Sequence, residues 1–387
     1  MEDPAAKSRI DWVGENCRLL AQIRQEFAGT KPFAGLTIGT GIHLEPKTAI
    51  LLGTLQAGGA RVVATGNLNS TQPETVAYLQ SHGVDVQAEQ TTDTSLHGQS
   101  LQRIMAEKPD LLLDNGGDLF ALYADNPYPE LKGGTEETTS GRMRLEPMRD
   151  RLKIPILVIN DSPIKQFAEN RIAVGQSIFE SYMRLTNRST NGKRVTVFGY
   201  GACGRGVAIN FKNAGAVVSV VDTDPVTTLE AHLDGFSTPL RTKAISGADV
   251  IITETGAIDV VSAEDMAHFK DGVILINGGH FPTEIAVEDL SRSPLVASQD
   301  HNADMSIDTL RLTDGRSVHI LCEGHMANLA GPRPLGNSIE SMDLGFALQA
   351  RCLEHIARGH ASDADCVVPV PEAIDRGVAE AYLNLNR

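Results

Sequence analysis

Val197-Phe198-Gly199-Tyr200-Gly201-Ala202-Cys203-Gly204-Arg205-Gly206 is the stretch on which the fold of this chain turns. The apolar run Arg194–Phe198 leads into it and an apolar helical pattern follows. In that setting the GxGxxG spacing has a mechanical meaning. Gly199 permits a tight turn, Gly201 lets backbone approach a pyrophosphate, and Gly204 lets helix and strand pack closely, leaving a helix N-terminus to hold phosphate. Asp222 ends the next strand-like run, Val217–Val221, about 20 residues on. A carboxylate there accepts hydrogen bonds from adenosine ribose hydroxyls and repels a 2′-phosphate. The stretch predicts a Rossmann unit that binds NAD rather than NADP.

The same alternation extends in both directions. Downstream, Val250–Ile252 and Val273–Ile276 continue the βαβ series. Upstream, an amphipathic helix is predicted over residues 10–30, and a strand at Leu36–Ile38 precedes a helix opened by Pro46. Ala60–Ala64, Leu111–Asp114 and Ile156–Ile159 read as buried parallel strands. A helix over Val174–Leu185 ends at the polar break Thr186–Gly192, and another over Ile339–Ala357 precedes a short tail. The expected architecture is α/β with two domains. A Rossmann-type NAD domain (176–335) is inserted into a larger α/β substrate domain (1–175), and a C-terminal helix and tail (336–387) return to complete the latter. The 387 residues, 41% of them hydrophobic, exceed what one ordinary core accommodates.

Composition narrows the function. The formal net charge is −15 and no basic run is present, so a nucleic-acid partner is not expected and a small ligand is. Cys17, Cys203, Cys322, Cys352 and Cys366 are odd in number and far apart, without a CxxC pair. Neither a disulfide framework nor a metal site is expected, and a reducing, cytoplasmic setting fits. The N-terminus lacks the apolar core of a signal peptide, and no run of about 18 apolar residues predicts a membrane span.

Further segments fall in an order that resembles the S-adenosyl-L-homocysteine hydrolase family. They are Asp114–Asp118, Glu136–Gly141, Asn160–Lys165, Glu169-Asn170, Gly199–Gly206, Thr253–Asp259, Gly279–Phe281 and Glu323–Leu329. The resemblance implies a substrate domain hinged to a Rossmann domain, a homo-oligomer (dimer or tetramer), and NAD kept throughout turnover. It implies oxidation of a nucleoside 3′-hydroxyl to a ketone, removal of the acidified C4′ proton and elimination of the 5′ substituent, chemistry that needs bases, an acid and carboxylates to hold the sugar. Carried over residue by residue, Glu137 grips sugar hydroxyls and Lys165, as a lysine of lowered pKa, takes the 3′-hydroxyl proton. Glu169 stands where the family has Asp, Asn170 neighbours sugar and nicotinamide, and His43 and His280 match histidines near the 5′ side and the ribose. Thr138, Thr139 and Ser140 resemble a hydroxyl run that contacts NAD, and Thr255 and Asn328 match further cofactor contacts.

Departures from the family pattern gather around the substrate. Asn115 occupies the place of an acid, Glu45 and Lys47 replace a Thr and a Glu that face the nucleoside, and Val174 replaces a small polar residue. A Gly-His-Pro near the base becomes Gly331–Gly336, including Arg333, and His325 takes the place of an Arg or Lys. A retained oxidising machinery with a rebuilt pocket favours a nucleoside dehydratase or lyase of a specialised nucleoside pathway. Its general acid would be His43, kept protonated by Glu45. An ordinary S-adenosyl-L-homocysteine hydrolase and a catalytically dead NAD-binding regulator are the alternatives.

Overall fold

Short apolar runs bounded by glycine and polar residues form the strands of a computed structural model that describes residues 4–385 and 387. In chain order these are β1 (Thr37–Gly41), β2 (Arg61–Thr65), β3 (Asp85–Val86), β4 (Leu111–Asp114), β5 (Gly134–Glu136), β6 (Ile156–Val158), β7 (Arg194–Phe198), β8 (Val217–Val221), β9 (Val250–Thr253), β10 (Val273–Asn277), β11 (Val296–Asn302), β12 (Ile307–Leu312), β13 (Ser317–Leu321) and β14 (Val368–Pro369). Two compact units result. One runs to Gln166 and resumes at Ile339, and the other spans Phe167–Ser338. The first boundary thus falls at Gln166/Phe167 rather than at 175/176, inside a π-helical segment, Lys165–Ala173, whose wider turn carries no 3.6-residue signature.

The first unit is a seven-stranded sheet in the order β14-β6-β5-β4-β1-β2-β3, every neighbour parallel. Strands covered on both faces bury every side chain, and β4 shows this as Leu111, Leu112 and Leu113, each fully buried. The chain returns here as expected through the helix Ile339–Ala357, and the segment read as a short tail adds an edge strand, β14, and a further helix, Glu372–Leu385. The helix predicted over residues 10–30 is two, Pro4–Asn16 and Arg18–Thr30, because Cys17 (φ −80°, ψ 72°) leaves the helical region. Asp343, from the helix Ile339–Ala357, accepts the N–H groups of Leu19 (2.7 Å) and Leu20 (2.9 Å) that the second helix's start leaves unsatisfied. Burial pushes the Asp343 carboxyl up to about 6.

The second unit is also seven-stranded, ordered β11-β12-β13-β10-β9-β7-β8. Strands β13 to β8 run parallel, and β11, β12 and β13 form an antiparallel meander absent from the βαβ expectation. Helices Val174–Thr186 and Ala202–Asn213 pack face to face, with Phe179 and Tyr182 edge-on to Phe211. Their contact needs glycine: a Cβ on Gly206 would stand 1.8 Å from Arg171 O, and one on Gly175 2.4 Å from Gly206 C. Among the described residues no helix is long and apolar enough to cross a membrane, no group of three or more His, Cys, Asp or Glu gathers as for a metal, and no disulfide forms.

The glycine contact gives a test of the packing. Gly206→Ala should destabilise the second unit by about 1–3 kcal/mol, the usual cost of overpacking. Gly53→Ala, in the helix Pro46–Ala57 with nothing near its added methyl, should instead stabilise the chain by about 0.5–1 kcal/mol. Chemical denaturation midpoints of the two variants should move in opposite directions; a shared direction would refute the contact.

Candidate active site

In parallel sheets, side chains just beyond the carboxyl ends of neighbouring strands converge. The register of the first sheet aligns Gly41 with Thr65 and Asp114, Asp114 with Glu136, and Glu136 with Val158. His43, Asn67, Asn115 and Glu137 therefore emerge along one edge, and Lys165 follows from the segment after β6.

They form a continuous polar chain. Lys165 Nζ donates to Glu137 Oε1 at 3.1 Å, and Asn115 Nδ2 donates to Glu137 Oε2 at 2.7 Å. Asn67 Nδ2 donates to Asn115 Oδ1 at 3.0 Å. Asn67 O in turn accepts from Ser70 Oγ at 3.1 Å, and Ser70 Oγ lies 2.6 Å from His43 Nδ1. With the one hydroxyl proton of Ser70 directed to Asn67 O, Nδ1 of His43 is the donor of that short bond. Lys165, Glu137 and Asn115 are at most 5% exposed. Burial works to raise the Glu137 carboxyl, and the Lys165 ammonium together with Asn115 outweighs it, holding the group below the usual carboxylate range.

Glu45 is held in an ion pair. Its carboxylate pairs with Lys47 Nζ at 2.8 Å, both side chains 4% exposed, and accepts the Lys47 backbone N–H at the start of the helix Pro46–Ala57. The Glu137 carboxylate and His43 also interact electrostatically.

Glu136, unassigned from the sequence although it adjoins Glu137, holds this edge together. Its carboxyl accepts the N–H groups of Gly116 (3.0 Å), Gly117 (2.9 Å) and Thr138 (2.7 Å) and the Thr138 hydroxyl (2.7 Å). Burial pushes it up to about 7, and burial and then the neighbouring Glu136 charge raise Asp114 as well. Thr138 also caps the helix Thr139–Leu145, where Thr139 is exposed and Ser140 half-buried. The Thr138 hydroxyl proton is thus committed to Glu136 within this unit.

The second unit gathers another set. Gly199 adopts φ +90°, and a Cβ there would meet Glu254 O at 2.5 Å; a Cβ on Gly204 would meet Gly199 O at 2.0 Å. Gly201 precedes the helix Ala202–Asn213 and has open space before it. Gly199 and Gly204 thus leave no room for a side chain. Asp222 directly follows β8 and accepts the Tyr200 N–H (2.8 Å) and the Asp224 N–H (2.9 Å), which ties it to the glycine turn. An anion-ready helix end, a turn with room for a phosphate and a carboxylate at the next strand fit NAD. Thr255 donates through its N–H and its hydroxyl to Glu284 Oε2 (2.9 and 2.8 Å), and Gly256 N–H to Oε1 (2.8 Å).

Glu169 and Asn328 belong to one network. Glu169 Oε1 accepts from Asn337 Nδ2 at 3.4 Å, Asn337 Oδ1 accepts from Ser177 Oγ at 3.0 Å, and Asn328 Nδ2 donates to Ser177 Oγ at 2.9 Å. Asn170 is buried on the same π-helical segment, His280 is half-buried against Phe281, and Arg333 is exposed at φ +49°. Asn67, Ser70, Ser177, Asn337 and Glu284 were not singled out in the sequence. Asn67, Ser70, Asn337 and Glu284 lie in loops and Ser177 on a helix, positions that many polar residues share.

Comparison with known proteins agrees with this geometry. The profile of the S-adenosyl-L-homocysteine hydrolase family matches residues 4–127, and that of the S-adenosyl-L-homocysteine hydrolase NAD binding domain matches residues 170–333. An adenosylhomocysteinase of Thermotoga maritima is 39% identical, covering 97% of this chain and 93% of that protein. An S-inosyl-L-homocysteine hydrolase of Methanothermobacter thermautotrophicus is 38% identical (98% and 92% covered), as is an adenosylhomocysteinase of Thermococcus kodakarensis (98% and 90%). Similarity of this extent in both units, with the dinucleotide turn intact, places the chain in the S-adenosyl-L-homocysteine hydrolase family as an NAD-dependent enzyme.

Proposed function

We propose that this enzyme oxidises C3′ of a nucleoside, removes the C4′ proton and expels a 5′ substituent other than homocysteine, with water as the leaving group, so that it acts as a nucleoside dehydratase. The observation that carries this reading is the amide at position 115. Asn115 spends its Nδ2 on Glu137 and cannot take up or deliver a proton, so the 5′ side relies on a different acid.

Bound NAD supplies the oxidising capacity at C3′, and the resulting ketone makes the C4′ proton removable. Glu137, charged and fixed by two donors, holds the sugar hydroxyls. Lys165 serves the 3′-hydroxyl: paired with Glu137 Oε1 at 3.1 Å it is an ammonium, so it must first release a proton before it takes the one from the hydroxyl. Glu169, Asn170 and His280 serve the sugar and the nicotinamide, and Thr138, Thr139, Ser140, Thr255 and Asn328 belong to the cofactor contacts. The C4′ proton passes to a base at the site, the electron pair it leaves forms the alkene as the C5′–O bond breaks, and the C3′ ketone is reduced again to close the turnover. Hydroxide is a poor leaving group (water has a pKa of about 15.7, a thiol about 8.5), so departure requires a proton. His43 delivers it. Ser70 fixes the ring through Nδ1, and the Glu137 charge favours the imidazolium.

The second reading is hydrolysis of a homocysteine thioether, favoured by relatives at 38–39% identity that are named as adenosyl- or inosylhomocysteine hydrolases. Incubating NAD-loaded protein with S-adenosylhomocysteine, S-inosylhomocysteine and 5′-hydroxyl nucleosides separates the two. A 4′,5′-ene from a 5′-hydroxyl nucleoside supports the dehydratase; free homocysteine as the main product supports the hydrolase. Reduction of the nicotinamide by any nucleoside excludes a dead regulator. A 3′-deuterated substrate should leave its label on the nicotinamide, and turnover without such transfer would overturn both catalytic readings.

Two variants divide the roles. Glu137→Gln should slow nicotinamide reduction by roughly 10²–10⁴-fold, the range of a lost polar catalytic group. His43→Gln should leave that reduction near the parent rate and suppress the ene, with a 5′-thioether substrate less affected than a 5′-hydroxyl one. Equal losses on both substrates would remove His43 from the acid role.

A further inference from the structure

Glu254 follows β9 directly and takes no part in the chemistry above. Its backbone is held by the glycine turn: Glu254 N–H donates to Phe198 O at 2.8 Å, and its carbonyl occupies the space a Cβ on Gly199 would need. Its side chain then crosses the carboxyl edge of the sheet. Its Cβ lies 3.5 Å from where a Cβ on Gly204 would stand, and its Oε1 lies 1.8 Å from where one on Gly278 would stand, just past β10. The residue as a whole is half-buried, yet Oε1 is sealed from solvent and has no hydrogen-bond partner among the described residues.

The sheet order says which part of a dinucleotide this carboxyl meets. Strands β8 and β9 flank β7 on opposite sides. The acid just past β8, Asp222, marks the adenosine ribose, and the N-terminus of the helix Ala202–Asn213 marks the pyrophosphate. The nicotinamide half is left to the side of β9 and β10, where Glu254 and Gly278 lie.

We propose that Glu254 is a cofactor-positioning residue that, in its neutral form, donates a hydrogen bond to an oxygen of the nicotinamide nucleotide half of NAD. The electrostatics agree. Burial, and then the Glu284 carboxylate, hold the Glu254 carboxyl well above the usual carboxylate range. From the other packed elements, the glycine turn and the helix start present no charge that enters this balance, and Asp222 is bound to Tyr200 N–H and Asp224 N–H. Glu284 is itself taken up by Thr255 and Gly256. Bringing a pyrophosphate close adds negative charge, which favours the protonated acid further. Ionisation would remove that donor and set a negative charge beside the phosphates.

The sign of the pH dependence follows. As pH rises through the titration of the cofactor-free form, the chain loses a proton that the bound form must regain, so binding takes up a proton and weakens. The inference concerns the cofactor alone and stands apart from the choice of substrate. Calorimetric titration of NAD into the full chain stripped of cofactor tests it, in buffers of differing ionisation enthalpy. The parent's Kd should weaken by up to about tenfold per pH unit on the alkaline side, with uptake approaching one proton. Glu254→Gln keeps a donor and cannot ionise, so its Kd should stay flat over that range with no such uptake. A parent Kd independent of pH, one that tightens as pH rises, or a Glu254→Gln variant with the parent's slope would overturn the inference. Should that variant fail to fold, the proton count of the parent decides the matter alone.

Discussion

Both units depend on one interaction: a buried glutamate that accepts backbone N–H groups of a glycine-containing turn at the carboxyl edge of its sheet. Glu136 does this for Gly116, Gly117 and Thr138, and Glu284 does it for Thr255 and Gly256. Hydrogen bonds to a charged group contribute roughly 1.5–3 kcal/mol each, and a buried carboxylate left without them is costly. Each arrangement also requires an absent side chain. A Cβ on Gly141 would stand 2.1 Å from Glu136 Oε1, and one on Gly279 would stand 1.8 Å from Glu284 Oε1. The turns that carry Asn115, Thr138 and Thr255 therefore have little freedom to shift, which is what positioned chemistry requires.

On that scaffold the polar residues divide by charge. Lys165 and Asn115 saturate Glu137 with one cation and one neutral donor, so a carboxylate survives where burial alone would neutralise it. Glu45 and Lys47 neutralise each other nearby, in a pair that costs desolvation and is weak evidence of stability. The proposed dehydratase uses the same economy: one acid, His43, held by a serine hydroxyl and the field of Glu137.

What could be read from the sequence followed apolar run length and glycine spacing. Strands such as β4, β7, β8, β9 and β10 are four or five residues long and mostly apolar, and the expected runs coincide with them. Strand β5 is Gly134-Thr135-Glu136, which looks like loop; it is glycine because a Cβ at Gly134 would stand 1.9 Å from Leu112 O. Strands β3 and β14 have two residues each, too few for a periodicity. The break at Cys17 was hidden for another reason: its cap comes from Asp343, more than three hundred residues away along the chain. The catalytic candidates were legible through ordered motifs. Their orienting partners, Ser70, Asn67, Ser177 and Asn337, were not, since only folding brings them within hydrogen-bond reach. The Glu45–Lys47 ion pair was not read from the sequence, because nothing there shows that the two side chains turn toward each other at the helix start.

The cap from Asp343 has a consequence for how the molecule is made. The helix Arg18–Thr30 is translated before Phe167–Ser338, yet the acceptor for its opening amides lies beyond the whole of that unit. The edge strand β14 arrives later still, to pair with β6. On the ribosome the dinucleotide unit has all its strands in hand before the unit begun earlier can close, so the part started first is finished last.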